Sequence, residues 1–420
     1  MYNLLPQNIL SKYAITYSEL VYQNITIFKN KDGKWGVIAE TAGGSFDILL
    51  KPIYHSVGFN RALNYIEGVK YENTPPQERY YFFDISGKLK GKSKRGTTIT
   101  IDSFGNLLII KSDFIGALDQ RFRVIIPPSY EFLHGLRRNI FKAKRNGLFG
   151  IIDINENVLL DFQYKNILSS IKDSGTIVQN LSNDYFSFNL DTLQLKPLNV
   201  DRILLATSNT YQAPSFESPL LYKAIIHCQE TEFDWYDNDM SQYTGLWGIL
   251  RTDGSTMLPI EYAYVDPFRN PNFFKVARGR FSFEYNVEQN RLSAKGVKWG
   301  VVDCNNNVIV PIEYDWIEEV EDTVWVVNQG GTVFFSNEDH KGRWVVKGGK
   351  LGVYNMSRLV TPIVYDAIRT NWYRIKDFIF IQKGRASFNE QYEYDVYTLH
   401  GEKIEENKPL PKHHTYYKGA

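Results

Sequence analysis

Three groups of residues in this 420-residue chain have types and spacings that could do chemistry. The first is Gly91-Lys92-Ser93 within SGKLKGKSKRG at 86–96, the end of a phosphate-binding loop. Such a loop needs a glycine at 86, where Ser86 stands, and a helix after it. The following TTITID reads as a strand, so no helix N-terminus is on hand to hold a phosphate. The second group is ETEFDWYDND at 230–239, with five acids, three aromatics and no base. Asp234, Asp237 and Asp239 could hold a cation, but the glycine and distal glutamate of a calcium loop are missing. Phe233, Trp235 and Tyr236 beside Asp237 and Asp239 suit a protein contact, because Trp and Tyr anchor interfaces. A plain surface loop is the bland alternative. The third group is a basic segment at 88–145, with 13 Lys or Arg against 4 Asp or Glu. Lys88, Lys90, Lys92, Lys94 and Arg95 cluster in one part, and Arg137, Arg138, Lys142, Lys144 and Arg145 in another. This is either a patch for nucleic acid or an acidic partner, or a pair of solvated hairpin loops.

Other chemistry is sparse. None of the seven histidines stands in HExxH or another close ligand spacing, and no G-x-S-x-G elbow is present. The two cysteines, Cys228 and Cys304, are too few for a disulfide framework or a structural zinc site. The expectation is therefore no catalytic residue, no metal and no cofactor. A net charge of +1 gives the whole chain no pull towards nucleic acid. The start MYNLLPQNILSKYAITYSEL lacks a basic n-region followed by an apolar stretch, and no apolar run reaches the roughly 18 residues of a membrane span. The expected setting is cytoplasmic and off the membrane; leaderless export would leave no mark.

The elements that would position these groups emerge from repetition. KWGV at 34–37, LFGI at 148–151, LWGI at 246–249, KWGV at 298–301 and KLGV at 350–353 align, the last three 52 residues apart. PIEYAYV at 259–265, PIEYDWI at 311–317 and PIVYDAI at 362–368 follow them. DFQYKNI at 161–167 and PLNVDRI at 197–203 are partial copies, and PIYHSV at 52–57 and PSYEFL at 128–133 are shortened ones. RGRFSFEY at 278–285 returns as KGRASFNE at 383–390. These units resemble the WG (KWG) repeat of bacterial proteins, a Lys-Trp-Gly strand, a turn and a Pro-x-x-Tyr-Asp strand. The resemblance implies a β-rich repeat scaffold and brings no catalytic residue with it.

Alternation places Trp299, Val301 and Asp303 on one strand face. The stretch at 303–307 then turns, since Asp and Asn tolerate left-handed backbone, and 308–314 returns as a second strand. A run such as TVWVVN at 323–328 supplies a third. Gly300 predicts a close backbone approach, and Pro311 a strand edge or start. Tyr314 predicts a buried ring whose hydroxyl finds a partner. The aromatic place holds Trp35, Phe149, Trp247, Trp299 and Leu351, which favours a core knob over a ligand-stacking platform. Gly36, Gly150, Gly248, Gly300 and Gly352 persist, as do Pro259, Pro311 and Pro362 with Tyr262, Tyr314 and Tyr365. Asp201, Asp315 and Asp366 read as turn or capping residues.

The expected fold is all-β, an array of roughly seven to nine antiparallel hairpin or meander units. A propeller-like ring is the first expectation and an open solenoid-like array the alternative, since closure removes edges. The expected organisation is an N-terminal cap at 1–28, degenerate repeats at 29–204, better-matching repeats at 205–405 with an insertion loop at 228–242, and a polar tail at 406–420. The expected function is a non-enzymatic scaffold binding another protein through inter-repeat loops. Nucleic-acid or anionic-partner binding through 88–145 is one alternative. A carbohydrate binder or enzyme with a pocket in the array is the other.

Overall fold

The computed structural model describes residues 5–61, 64–72, 77–94, 96–102, 104–168, 175–206, 221–231, 239–286, 291–336, 343–370, 378–383, 393–398 and 400–409. Within them the chain is all-β, with 36 strands and two short helices. The strands fall into nine consecutive quartets, each an antiparallel meander with neighbours in chain order. Tyr, Phe and Trp make up 15% of the chain, and a pleated, half-buried surface suits them.

The chain forms two compact units, residues 1–172 with 178–182, and residues 173–177 with 183–420. The first contains quartets at 15–54, 56–92, 98–130 and 132–164. The second contains quartets at 202–262, 264–314, 316–365 and 367–409. The quartet at 166–198 includes the division. The run at 323–328, expected to complete the unit before it, instead lies almost wholly in Val324–Ser336, the second strand of the quartet that follows.

Two quartets merge. Phe273–Asn286 and Arg291–Asp303 run on past their quartet, as do Val324–Ser336 and Arg343–Asn355. The overhangs pair through Leu292↔Phe335, Ser293↔Phe334 and Ala294↔Val333, giving one eight-stranded sheet. One large buried cluster gathers Trp247, Trp299 and Trp325 from three successive quartets, all essentially sealed from solvent at 0–1% exposure.

The turn between third and fourth strands is also repeated. The carbonyls of Asp84, Asp119, Asp153 and Asp303 accept the N–H of the residue three further on. That residue is left-handed in each case: Gly87 (φ 81), Phe122 (φ 60), Glu156 (φ 63) and Asn306 (φ 66). This is a type I turn closed by a left-handed residue, a common three-residue hairpin loop. The Asp303 carboxylate adds bonds from the N–H groups of Asn305 (2.9 Å) and Asn307 (2.8 Å) and from Asn307 Nδ2 (2.9 Å). Slight burial works against ionisation at Asp303 and Asp153, but hydrogen bonds from Asn307 and Asn157 outweigh it and lower both pKa values. Asp84 is held at about 2 in the same way, by Ser86, Lys90 and Lys88. Carboxylates depressed by folding stabilise above the ordinary Asp range, and that contribution disappears as pH falls through their folded values. The urea midpoint is therefore expected to drop between about pH 4 and pH 2. Asp303→Asn, which keeps the turn's acceptor but cannot ionise, should flatten part of that drop.

Candidate functional site

Six quartets share one geometry at the motif. Across third and fourth strands, Trp35 faces Tyr54, Ile115 faces Tyr130 and Phe149 faces Tyr164. Trp247 likewise faces Tyr262, Trp299 faces Tyr314 and Leu351 faces Tyr365. Two residues past each of these, the third strand meets the residue four before the tyrosine, as in Val301↔Val310. The fourth strand therefore carries two extra residues as a bulge, and Pro259, Pro311 and Pro362 sit in it. The bulge folds over the glycine: a Cβ on Gly300 would lie 2.7 Å from Ile312 Cα and Val310 O, and one on Gly248 2.7 Å from Leu258 O. Only hydrogen fits there, which is why glycine persists while its aromatic neighbour drifts.

Ile115-Gly116 is a copy that the sequence reading missed because isoleucine takes the aromatic place. The available signal was spacing, since Gly116 precedes Tyr130 by the same 14 residues that separate Gly300 from Tyr314.

The motif tyrosines cross to the next quartet. Tyr262 donates to Asn306 Oδ1 (2.7 Å), Tyr130 to Glu156 Oε1 (3.0 Å) and Tyr365 to Asp395 Oδ2 (2.9 Å). The Tyr314 and Tyr354 hydroxyls lie 2.9 Å apart. Burial and the Tyr354 hydroxyl both raise the Tyr314 pKa. Tyr314→Phe should cost about 1 kcal/mol, the usual net value of one hydrogen bond, measured by chemical denaturation. A loss above about 3 kcal/mol would mean the ring packing had changed as well.

The residues beside the motif pair as well. Lys298 Nζ stands 2.6 Å from Asp315 Oδ1, and Lys350 Nζ stands 2.9 Å from Asp366 Oδ1. Asp315 Oδ2 also accepts the Gly330 N–H at 2.7 Å, and Asp201 Oδ2 accepts that of Cys228 at 2.9 Å. The capping role was legible in the sequence; the lysine partners were not.

The basic segment is spread over several elements. Lys90 and Lys92 lie on Leu89–Lys92, with Lys90 paired to Asp84 at 3.0 Å. Lys88 and Lys94 flank that strand, and Arg95 lies outside the described residues. Ser93, the last residue of the phosphate-loop echo, is buried and accepts the Tyr80 N–H. Arg138 is exposed in a turn, and Arg145 lies over the Phe162 ring at 4.5 Å. Lys144 Nζ is 4.0 Å from Glu131 Oε2. Lys142 departs from the expectation of a solvated charge: it is 8% exposed, and its ammonium meets the Ile167 carbonyl at 2.5 Å and Asn166 Oδ1 at 3.3 Å. Burial lowers its pKa to about 8. Phe233, Asp234, Trp235, Tyr236 and Asp237 lie outside the described residues, and Asp239 opens the helix Asp239–Gln242.

A polar slot of about 220 Å³ opens where the paired overhangs part, lined by Lys295, Gly296, Trp299, Asp315, Gly331 and Thr332 among others. Gly296 (φ 85) marks the bend where the two overhangs separate. Among the described residues no cluster of three or more His, Cys, Asp or Glu stands ready for a metal ion.

Residues 299–331 match the model of a WG containing repeat. The match begins at Trp299, in the third strand of one quartet, and ends at Gly331, in the second strand of the next. The chain matches none of the curated proteins. Among solved structures, it is similar at 8% identity to one titled a eukaryotic initiation factor, over 93% of this chain and 96% of that one, with a TM-score of 0.36. It is similar at 12% identity to the computationally designed Ika8 protein, over 82% and 96%, with a TM-score of 0.29. BamB from Moraxella catarrhalis is similar at 10% identity, over 74% and 90%, with a TM-score of 0.28. Likeness at this level transfers no activity or partner to this chain.

Proposed function

From a chain that carries a WG containing repeat at 299–331, we propose a non-enzymatic interaction scaffold that binds another protein through the segments joining its second and third strands. The observation that supports this reading is where chain length varies. In the first unit those intervals are short, as between Asn30 and Trp35 or between Arg145 and Leu148. In the second they run longer in three quartets, from Glu230 to Tyr243, Ser336 to Arg343 and Lys383 to Glu393, and stay short in the quartet at 264–314, from Asn286 to Arg291. Motif residues are meanwhile committed to packing and to links between quartets. Variable segments on a rigid frame are the usual seat of recognition. The acidic-aromatic stretch at 230–239 falls in the longest of these intervals and supplies the anchor types that interfaces favour.

The test is capture of partners from the source cells by wild-type protein and by a variant with 232–238 replaced by Gly and Ser. A partner lost only with that variant supports the reading; an unchanged set of captured proteins sinks it. Among the described residues no helix is long and apolar enough to cross a membrane. We propose a cytoplasmic setting for such a scaffold.

A second reading, contact with an anionic partner or nucleic acid through 88–145, draws support from Lys92 and Lys94, which are exposed. It requires binding that weakens steeply with salt and is lost on neutralising Lys88, Lys92 and Lys94.

A further inference from the structure

The residue after the motif tyrosine, or after its counterpart Val200, ties one quartet to the next. The N–H groups of His55, Glu131, Asp201, Ala263 and Asp315 donate to the carbonyls of Val69, Lys144, Ile225, Ala277 and Asn328, each on the second strand of the following quartet. Carboxylate side chains at this place return a second bond. Asp315 Oδ2 accepts the Gly330 N–H at 2.7 Å, Asp201 Oδ2 that of Cys228 at 2.9 Å and Glu131 Oε1 that of Gly147 at 3.1 Å. Ala263 has no side-chain acceptor, so the fold tolerates a junction without the second bond.

In the first quartet the accepting group is an imidazole. His55 Nδ1 takes the Tyr71 N–H at 3.1 Å, and Lys34 Nζ stands 2.8 Å from His55 Nε2, as Lys298 stands beside Asp315. A ring nitrogen that accepts carries no hydrogen, so neutral His55 holds its hydrogen on Nε2. It thereby turns a donor towards the Lys34 amine, where Asp315 turns an acceptor towards Lys298. A second proton would go to Nδ1, end the bond from Tyr71 and set two cations side by side. Slight burial and the Lys34 charge hold the His55 pKa below the ordinary histidine value. Tyr71, on the strand Tyr65–Glu72, meets the imidazole edge-on at 4.7 Å, and its hydroxyl donates to Glu78 Oε1 at 3.2 Å. Lys70, next to it in the chain, lies over the Tyr54 ring at 4.7 Å.

We propose that His55 is a pH-sensitive latch between the quartets at 15–54 and 56–92, closed while its imidazole is neutral and released by protonation in mild acid. A carboxylate at the same place accepts in its charged form, so the junctions at Glu131, Asp201 and Asp315 do not share this trigger. Because folding lowers the His55 pKa, the latch stabilises above about pH 6.5, the ordinary histidine value, and that contribution is lost as pH falls through the folded one.

The experiment follows backbone hydrogen exchange of the full chain by peptide mass spectrometry from about pH 7.5 to about pH 5, each rate corrected for the intrinsic effect of pH. Protection of 65–72 should fall by about three- to tenfold over that range, tenfold being the change that one pKa unit carries. Protection of 325–331, which Asp315 ties through Gly330, should hold steady. His55→Asp, which puts the carboxylate back, and His55→Asn, which accepts without titrating, should each flatten the fall at 65–72 to less than about twofold. Either variant decides alone if the other does not fold. A fall at 65–72 no larger than at 325–331, or one that persists undiminished in the variants, overturns the proposal.

Discussion

Gly300→Ala is expected to destabilise the protein by about 1–3 kcal/mol, the usual cost of forcing an extra carbon into a filled site. The new Cβ would meet Ile312 Cα and Val310 O at 2.7 Å, and main chain cannot swing aside as a side chain tip can. Relief would require the fourth-strand bulge to open, with loss of the Trp299↔Tyr314 pairing. The control is Gly58→Ala, in the strand Ser56–Asn60, where an added Cβ meets nothing within 4 Å. That change should be neutral or stabilising by a few tenths of a kcal/mol, because glycine in a strand gives up more backbone freedom on folding. Urea titrations of the two variants decide the matter. Equal effects would show that the bulge yields easily and that the glycine is not sterically required.

Trp299→Ala carries the second large effect, about 3–5 kcal/mol, since it removes a fully buried indole. Trp299 touches the rings of Tyr264, Phe281 and Trp316, so it holds its own quartet to the next. Trp299→Leu should cost markedly less, about 1–2 kcal/mol, because Leu351 occupies the same register position in the neighbouring quartet. Trp35, half-buried in its quartet, should tolerate truncation better than Trp299. Thermal and urea unfolding of the three variants measure this order. A Trp299→Ala loss below about 1 kcal/mol would contradict a core role for the ring.

The sequence made the array legible where local chemistry and tertiary packing ask for the same residue. Gly300 and the Asp303 turn are each required by backbone geometry at their own position, and a single strand pattern reveals them. The grouping of strands was less legible. Val324–Ser336 follows a motif in sequence yet pairs forward, and nothing local to its residues says with which neighbour. The Ile115-Gly116 copy was hidden because packing at the aromatic place accepts any large apolar side chain. The burial of Lys142 and Lys223 was not legible. Lys142 meets Asn166 and Lys223 meets Asp266, 24 and 43 residues downstream, and no window on one strand contains both members of either pair. The acidic-aromatic stretch was legible only as composition, since its sequence carries no repeat partner against which to judge it.

The offset between the matched repeat and the quartets bears on how such a chain can grow. A recombination joining equivalent points in two copies, Trp247 to Trp299 for instance, deletes one full period. The product sheet is then a hybrid whose first two strands come from one ancestor copy and whose last two come from another. Both copies place tryptophan opposite tyrosine with the same two-residue bulge, so the hybrid inherits a seam that already fits. Copy number can therefore change at breakpoints within the sheets as readily as between them, and the segments joining second and third strands travel intact with either choice.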